Sequence, residues 1–306
     1  MAEGAALRVD EVLPREPLRQ SVLSVAFAWR YLFATAPAVR GQVLGIVTRA
    51  IANHLIKSAD MTCATAQTGA VTLIQRFASA LDLNIHFPML FPDGVYVTTG
   101  ERLTFRRVPP PTVVALEALV RVISKRVARA LERQDLLVRD LENSWLAVDT
   151  PDGAGFDDLL GHSMTYRVAL GPHQGRKAFT LQTVPAATDA LDGKLARAAR
   201  SSWHAGVACE ADEREKRERR CRTITRPAVS TERLSLTPQG NIRYRLKTPY
   251  RDGTTDVGFE PLDFIGRLAA LVPTPRVNLT PLPRGLCAAP PLASTSDTGQ
   301  TRPAQG

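Results

Sequence analysis

Apolar residues recur at helical spacing in two long stretches of the chain. In residues 37–57 they fall three or four positions apart, which places them on one face of a helix. A second helix is predicted over residues 113–134, because three prolines precede it and Thr112 is a good N-cap residue. The apolar positions of the first helix are Val39, Val43, Leu44, Val47, Ile51 and Leu55.

Short β-rich runs fill the chain between and after these helices. No glycine-rich phosphate loop opens a helix, so a Rossmann fold and a nucleotide cofactor are not expected. Neighbouring short strands with interspersed helices predict an α/β fold of the α+β type, an antiparallel sheet with helices packed on one face. The predicted strands are residues 70–77, 84–91, 95–98, 103–108, 162–170 and 177–184, the last two beyond an acidic linker at 149–158.

The last third of the chain predicts a charged helix, a hairpin and an amphipathic helix. Residues 210–226 mix acidic and basic side chains, a pattern typical of a solvated helix face. The turn signal at 238–240 separates two strand-like runs and favours a hairpin. The final helix is expected over residues 260–272, with Leu262, Ile265, Leu268, Ala269 and Leu271 facing inward.

The net positive charge of this globular chain predicts a polyanionic partner. The chain has 306 residues, a net charge of +9 and a pI near 9.8, which favours DNA or a membrane surface. The apolar run at 21–33 is too short to span a bilayer and contains Arg30. No signal peptide is visible. We expect a cytoplasmic protein whose partner is DNA and not a membrane.

The cysteines do not indicate a zinc site. They are dispersed and none is paired at the C-x-x-C spacing that zinc ligands favour. Dispersed cysteines in a cytosolic chain are usually free thiols. The four residues are Cys63, Cys209, Cys221 and Cys287.

The segment His86-Phe87-Pro88 carries the most specific chemistry in the sequence. Residues i and i+2 of a strand point to the same face, so two imidazoles at this spacing can hold a divalent cation that polarises a phosphate. Only the first position is a histidine here. Pro88 supplies no nitrogen ligand and no backbone donor. On spacing alone, His86 is more readily explained as an ordinary half-buried histidine.

Around these residues the chain resembles the rolling-circle insertion-sequence transposases of the HUH class. The resemblance rests on residues 68–97, on the element at 221–227 and on the nearly unbroken stretch at 227–279, and it covers roughly residues 1–280. It implies an HUH-nuclease-like antiparallel sheet with the histidine pair on a central strand. It also makes His86 a relic metal ligand and places Pro88 at the lost second ligand.

The element at 221–227 resembles the family segment that carries the nucleophilic tyrosine, which forms a covalent phosphotyrosine with DNA. Thr223 occupies that nucleophile position. Its side chain is short, and its alcohol is much less acidic than a phenol with a pKa of about 10. Rescue by Tyr166, Tyr244 or Tyr250 is a weaker alternative, because misplacement of a nucleophile costs rate steeply.

The resemblance also implies a divalent cofactor, Mg or Mn, and no zinc. With a single imidazole left at the core position, we expect metal binding to be weak or lost. His204 lies in an element similar to the family's, where it either approaches the metal or is a structural histidine.

A hairpin and basic loop of the family are similar to residues 235–255. Their cations and tyrosines could bind backbone phosphates and stack on the unpaired bases of single-stranded transposon ends. The alternative is a sheet whose outer face simply carries arginines. The candidate DNA-binding residues are Arg243, Tyr244, Arg245, Lys247 and Arg251.

Comparison with the family pattern divides the chain into three segments. Residues 1–60 are expected to be a helical N-terminal segment from which the zinc ribbon of the family is missing, and residues 61–272 the nuclease-like domain. Residues 273–306 are expected to be a disordered tail. One inserted base after the codon of Thr280 would replace the family's continuation with the sequence found at 280–287, so we interpret the tail as frameshifted.

These departures predict a degenerate transposase homologue that is catalytically inactive. One alternative is an active nickase that uses His86 with unrecognised ligands. The others are a DNA-binding remnant that occupies transposon ends without cutting, and a decayed gene product.

Overall fold

The computed structural model describes residues 13–25, 27–100, 102–139, 144–146, 156–165, 167–182, 195–198 and 201–272. Within these ranges the chain forms six helices and fifteen strands. The helices are α1 (Phe27–Thr35), α2 (Pro37–Ser58), α3 (Val113–Glu132), α4 (Phe156–Met164), α5 (Arg214–Ile224) and α6 (Pro261–Leu271).

The strands are mostly short, and the longest lies near the middle of the largest sheet. In chain order they are β1 (Leu18–Ser24), β2 (Ala66–Gln67), β3 (Val71–Thr72), β4 (Gln75–Phe77), β5 (Leu83–Pro92), β6 (Gly94–Thr99), β7 (Arg102–Arg107), β8 (Leu137–Arg139), β9 (Ser144–Leu146), β10 (Phe179–Gln182), β11 (Leu195–Ala198), β12 (Ser201–Cys209), β13 (Leu234–Leu236), β14 (Ile242–Arg245) and β15 (Thr254–Phe259).

The largest sheet has six strands in the order β11-β12-β1-β5-β3, with β4 also paired to β5. Every pairing in it is antiparallel. A second sheet has the order β10-β15-β14-β13, a third the order β2-β6-β7, and β8 pairs with β9. The α+β fold with antiparallel sheets is therefore confirmed.

Side chains on the two faces of β5 pack in two different hydrophobic clusters, because side chains alternate along a strand. Ile85, Phe87 and Met89 are fully buried in the large core, which also includes the apolar faces of α2 and α3. Leu90 points the other way and packs in a smaller cluster with Cys221 and Ile224 of α5. The expectation of helices on one face only is wrong, since α5 covers part of the second face.

The two long helices are confirmed as α2 and α3. Thr112 caps α3 as predicted, because its hydroxyl accepts a hydrogen bond of 3.2 Å from the Ala115 backbone N–H. The hairpin is confirmed as β13 and β14, with Gly240 in the turn at a φ of +80°. The strands predicted over 84–91, 95–98, 103–108 and 177–184 correspond to β5, β6, β7 and β10.

The strand predicted over residues 162–170 is wrong. Helix α4 occupies Phe156–Met164 and also takes the end of the predicted acidic linker. Leu160, Ser163 and Met164 are buried at helical spacing, three and four residues apart. The helical pattern accounts for residues 162–164, and among the described residues that follow up to 170, only Arg167 forms a β-bridge, with Lys177.

The inward face predicted for α6 is wrong at Leu262 and Ile265, whereas Leu271 is buried as predicted. Leu262 is 53% exposed and Ile265 is 62% exposed. The buried face instead carries Asp263 and Arg267, which form an ion pair at 3.2 Å with both side chains 1% exposed. Asp263 also accepts a hydrogen bond from the Ala169 N–H, so α6 is oriented by a satisfied ion pair and not by its largest apolar residues.

The N-terminal segment predicted as helical contains α1 and α2 but also supplies β1, an interior strand of the main sheet. The predicted tail at 273–306, the first twelve residues, Tyr166 and Cys287 lie outside the described residues. In the part of the chain that the structure describes, no helix is long and apolar enough to cross a membrane.

Candidate functional site

Pro88 and His86 both lie on β5, and the neighbouring strand is interrupted beside Pro88. The sequence predicts one strand over residues 70–77, but the structure has two, β3 and β4, with a gap between them. Leu73 lies in this gap and donates its N–H to the Pro88 carbonyl at 3.0 Å. Because proline has no N–H to return, the ladder cannot be completed at this point.

His86 is held on both sides of its imidazole ring. Its Nε2 lies 2.8 Å from Oε1 of Gln75, the residue directly opposite on β4. Its Nδ1 lies 3.1 Å from the main-chain oxygen of Asn84. A neutral imidazole has a single N–H and can donate to only one of these two oxygens.

The surroundings of His86 favour its neutral form. Burial lowers the pKa of His86 below its ordinary value, and the positive charges of Arg226 and Arg30 lower it further. The hydrogen bond to Asn84 acts in the opposite direction and is the smaller effect compared with burial.

Helix α5 lies on the same face of the sheet as His86 and Pro88. Gln75 connects the two, because its Nε2 donates a hydrogen bond of 2.7 Å to the carbonyl of Ile224. Arg217 anchors the other end of the helix, where its guanidinium donates to the carbonyls of Ala211 and Pro14. The structure therefore brings the predicted metal strand and the predicted nucleophile helix together.

Thr223 lies one residue before Ile224 and is exposed. Its hydroxyl donates a 2.8 Å hydrogen bond to the Arg219 carbonyl of its own helix. The Thr223 oxygen is thus turned back on α5, while the neighbouring Ile224 backbone is the part that contacts Gln75.

The described side chains around His86 do not fit a divalent metal. Both ring nitrogens face oxygen atoms, so no free lone pair points into open space. The positive charges of Arg30 and Arg226 act on the His86 ring and would also repel a cation bound to it. Among the residues that the structure describes, no three His, Cys, Asp or Glu side chains form a group that could hold a metal ion.

His204 is positioned by the strand register. It pairs with Val22 of β1, and Val22 pairs in turn with Pro88 of β5. The three residues therefore form one row across the sheet. The structure describes the backbone of His204 but not its side chain.

The basic hairpin divides into an exposed and a buried face. Arg243 and Arg245 are exposed on β14, and Lys247 and Arg251 are exposed in the loop that follows. Arg243 is paired with Asp256 at 2.8 Å, and this hydrogen bond raises the pKa of Arg243. All four side chains are exposed, so a polyanion can reach this part of the surface.

Tyr244 departs from its expected role, because it is 1% exposed and lies in the large core. Arg233 covers its ring at 5.3 Å, so the ring cannot stack on a base in this structure. Tyr250 is partly buried, and its hydroxyl accepts a hydrogen bond from Ser79. Burial raises the pKa of Tyr250, which disfavours the phenolate that a rescuing nucleophile would need.

Gln75 is the residue of this site that sequence reasoning missed. A signal was present, because Gln75 and Arg76 are polar residues inside a predicted buried β-run. Buried polar side chains need partners, and both residues have them: Arg76 donates to the carbonyls of Ala34 and Ala270.

A family model described as "Putative transposase" matches residues 69–282, more than two thirds of the chain. The match includes β5, α5 and the basic hairpin, and it ends close to Thr280. It does not include residues 1–68, which the sequence resemblance had also covered. No curated protein and no solved structure matches the chain.

Proposed function

Because this chain belongs to that transposase family, whose members act on DNA, we propose that it is a rolling-circle transposase homologue that binds single-stranded DNA without cutting it. The observation that carries the proposal is the placement of α5 on the His86 face of β5, connected through Gln75. A nucleophile helix over a metal strand is the arrangement that phosphotyrosine chemistry requires.

Three features of this arrangement oppose strand cleavage. Pro88 offers no ligand, and the nitrogens of His86 are already engaged. Thr223 is too short to replace a tyrosine, and its hydroxyl bonds to its own helix. Each change alone weakens catalysis, and together they remove both the activated phosphate and the attacking group.

DNA binding needs neither of these groups. Four cations of the hairpin strand β14 and of the loop that follows it are exposed: Arg243, Arg245, Lys247 and Arg251. Lysine and arginine side chains on one surface neutralise phosphates independently of sequence. The burial of Tyr244 leaves phosphate contact, and not stacking by this ring, as the contribution of the hairpin strand.

The test is a covalent-adduct assay with a labelled random-sequence single-stranded DNA pool, in magnesium and in manganese. We expect binding in a gel shift but no DNA–protein species after denaturation. The Pro88→His/Thr223→Tyr variant, with and without Gln75→Ala, tests whether the lost groups restore an adduct.

An adduct formed by the unaltered chain, mapped to Thr223 or to any tyrosine, would show that the chain is an active nickase. Absence of a gel shift at low salt would overturn the DNA-binding part and favour a decayed product. The two outcomes are independent, since one reads covalent chemistry and the other reads equilibrium binding.

A further inference from the structure

A cavity of about 630 Å³ lies beside the hairpin, away from His86 and α5. One wall is the β13–β14 hairpin, and the other is the loop that joins α4 to β10. Val168, Ile242 and Phe259 give it an apolar floor. Its size is in the range of cavities that hold small organic ligands.

Each acidic side chain that lines this cavity has a partner, and two of the three partners are arginines. Asp256 is paired with Arg243, and this hydrogen bond lowers the pKa of Asp256. Glu260 is hydrogen-bonded to the imidazole of His173, while Asp263 is ion-paired with Arg267. The cavity therefore does not repel an anion as strongly as its acidic residues alone would suggest.

Two cations at the rim are available instead. Arg176 and Lys177 are exposed and line the cavity. Within the described residues, neither side chain takes part in an ion pair. An anionic group held at the rim, such as a phosphate, would find two positive charges there.

The hairpin turn adds groups that match the edge of a base. Gln239 and Asn241 are exposed, line the cavity, and carry amides with both donors and acceptors. The turn between them is fixed by Gly240 and by the hydrogen bond from the Asn241 N–H to the Thr237 hydroxyl. The His173 imidazole, 49% exposed, supplies a ring on which a base can stack.

We propose that this cavity binds one unstacked nucleotide of a DNA strand, with its base between His173 and the hairpin turn and its phosphate on Arg176 and Lys177. The proposal rests on the proposed function and adds a sequence-reading site to it. Arg243 lines the cavity and shares a strand face with Arg245, so a strand bound along the hairpin has a direct route to the cavity.

The experiment measures the affinity of the full chain for four homopolymeric single strands and for an abasic strand of equal length. The unaltered chain should prefer some bases and should lose about tenfold in affinity for the abasic strand, as expected for one stacked base. The His173→Ala variant should show the same loss with normal strands. Gln239→Ala and Asn241→Ala should reduce the preference among bases.

Matched controls separate this site from general charge. Gln174→Ala removes an exposed glutamine of the same loop that does not line the cavity, and it should change nothing. Arg176→Ala/Lys177→Ala should weaken binding more than Lys125→Ala/Arg126→Ala, an adjacent exposed pair on α3. Thermal melting of each variant checks that it is folded.

Equal affinity of the His173, Gln239 and Asn241 variants for all strands, alongside weaker binding by Arg245→Ala/Lys247→Ala, would overturn the cavity and leave the proposed function standing. Loss of all strand binding in the unaltered chain would overturn both. A titration with free deoxynucleoside monophosphates is the last arm, and tight binding there without strand binding would assign the cavity to a free nucleotide.

Discussion

Gln75 and Ile224 are 149 residues apart in the chain and are joined by a 2.7 Å hydrogen bond from the Gln75 amide to the Ile224 carbonyl. The same amide group contacts His86 through its oxygen. One buried side chain therefore fixes the end of α5 against the strand that carries the histidine, and the geometry of the site depends on it.

Replacement of Gln75 by alanine should destabilise the protein by about 1–3 kcal/mol, because the Ile224 carbonyl and a nitrogen of His86 lose their partner in a buried place. Urea denaturation measures the change. Gln67→Ala is the control, since Gln67 is exposed on β2 and its replacement should have little effect. Equal stabilities of the two variants would mean that the bond contributes nothing to the fold.

The stability of the protein should fall as the pH is lowered through about 6.5, the ordinary pKa of histidine. Burial lowers the pKa of His86 in the folded state, so the unfolded chain takes up the proton first and gains free energy from it. The contribution is fully present above that pH and is lost below it. Denaturation of His86→Gln across this range should show a weaker dependence on pH.

Some dependence should remain in that variant, because burial also lowers the pKa of His54. The double variant His54→Gln/His86→Gln should be flatter still. A pH dependence identical in the wild type and in both variants would contradict this assignment.

Manganese should bind weakly to the unaltered chain, because His86 is the only histidine of β5 and both of its ring nitrogens are already within hydrogen-bond distance of oxygen atoms. Pro88→His adds a second imidazole on the same face, and Gln75→Ala releases Nε2 of His86. Calorimetric titration should show the strongest binding for the combined variant. Thr98→His, which adds an imidazole at an exposed position of β6, is the control and should bind no better than the wild type.

Asp263→Ala should cost about 3–5 kcal/mol, because it leaves the buried Arg267 guanidinium without its counter-charge. Glu117→Ala breaks an i,i+4 pair of the same kind with Arg121, but on the surface of α3. That control should cost less than about 1 kcal/mol. Thermal denaturation compares the two, and similar losses would show that the pair on α6 behaves as an exposed one.

Binding to single-stranded DNA should weaken steeply with salt. The variant Arg245→Ala/Lys247→Ala/Arg251→Ala should flatten the plot of log affinity against log salt concentration, by ~0.7 in slope for each phosphate that is no longer neutralised. Fluorescence anisotropy at several salt concentrations gives the slopes. The control removes three exposed cations of α3 in the variant Arg121→Ala/Lys125→Ala/Arg126→Ala. An unchanged slope in the hairpin variant would place the DNA path elsewhere, with the charged helix α5 next to be tested.

The elements that depend on local pattern could be predicted from the sequence. Helix α3 has a long apolar period and a capping threonine, and β5 has alternating apolar residues, so both are specified by their own residues. Helix α6 is correctly predicted as a helix, but Leu262 and Ile265 of its predicted inward face are exposed. The buried pair Asp263–Arg267 depends on partners about a hundred residues away, Ala169 and Arg167, which no local pattern contains.

The candidate site shows the same division. The resemblance gave the positions of His86, Pro88 and Thr223, but the side chain that links them is Gln75, whose partner lies on a distant helix. Tyr244 was expected on the DNA face because it stands among arginines. Strand alternation places it on the opposite face from Arg243 and Arg245, and it is buried.

Strand β1 has a consequence for how copies of such a gene can decay. It separates β5 from β12, and its residue Leu18 pairs with both Pro92 and Cys209. Deletion of its coding segment would open two interior strand edges at once, and exposed edges of this kind promote aggregation. Tyr244 of the hairpin lies in the same core as Leu23 of β1, so a gene copy that loses this early strand would also lose packing beneath the hairpin.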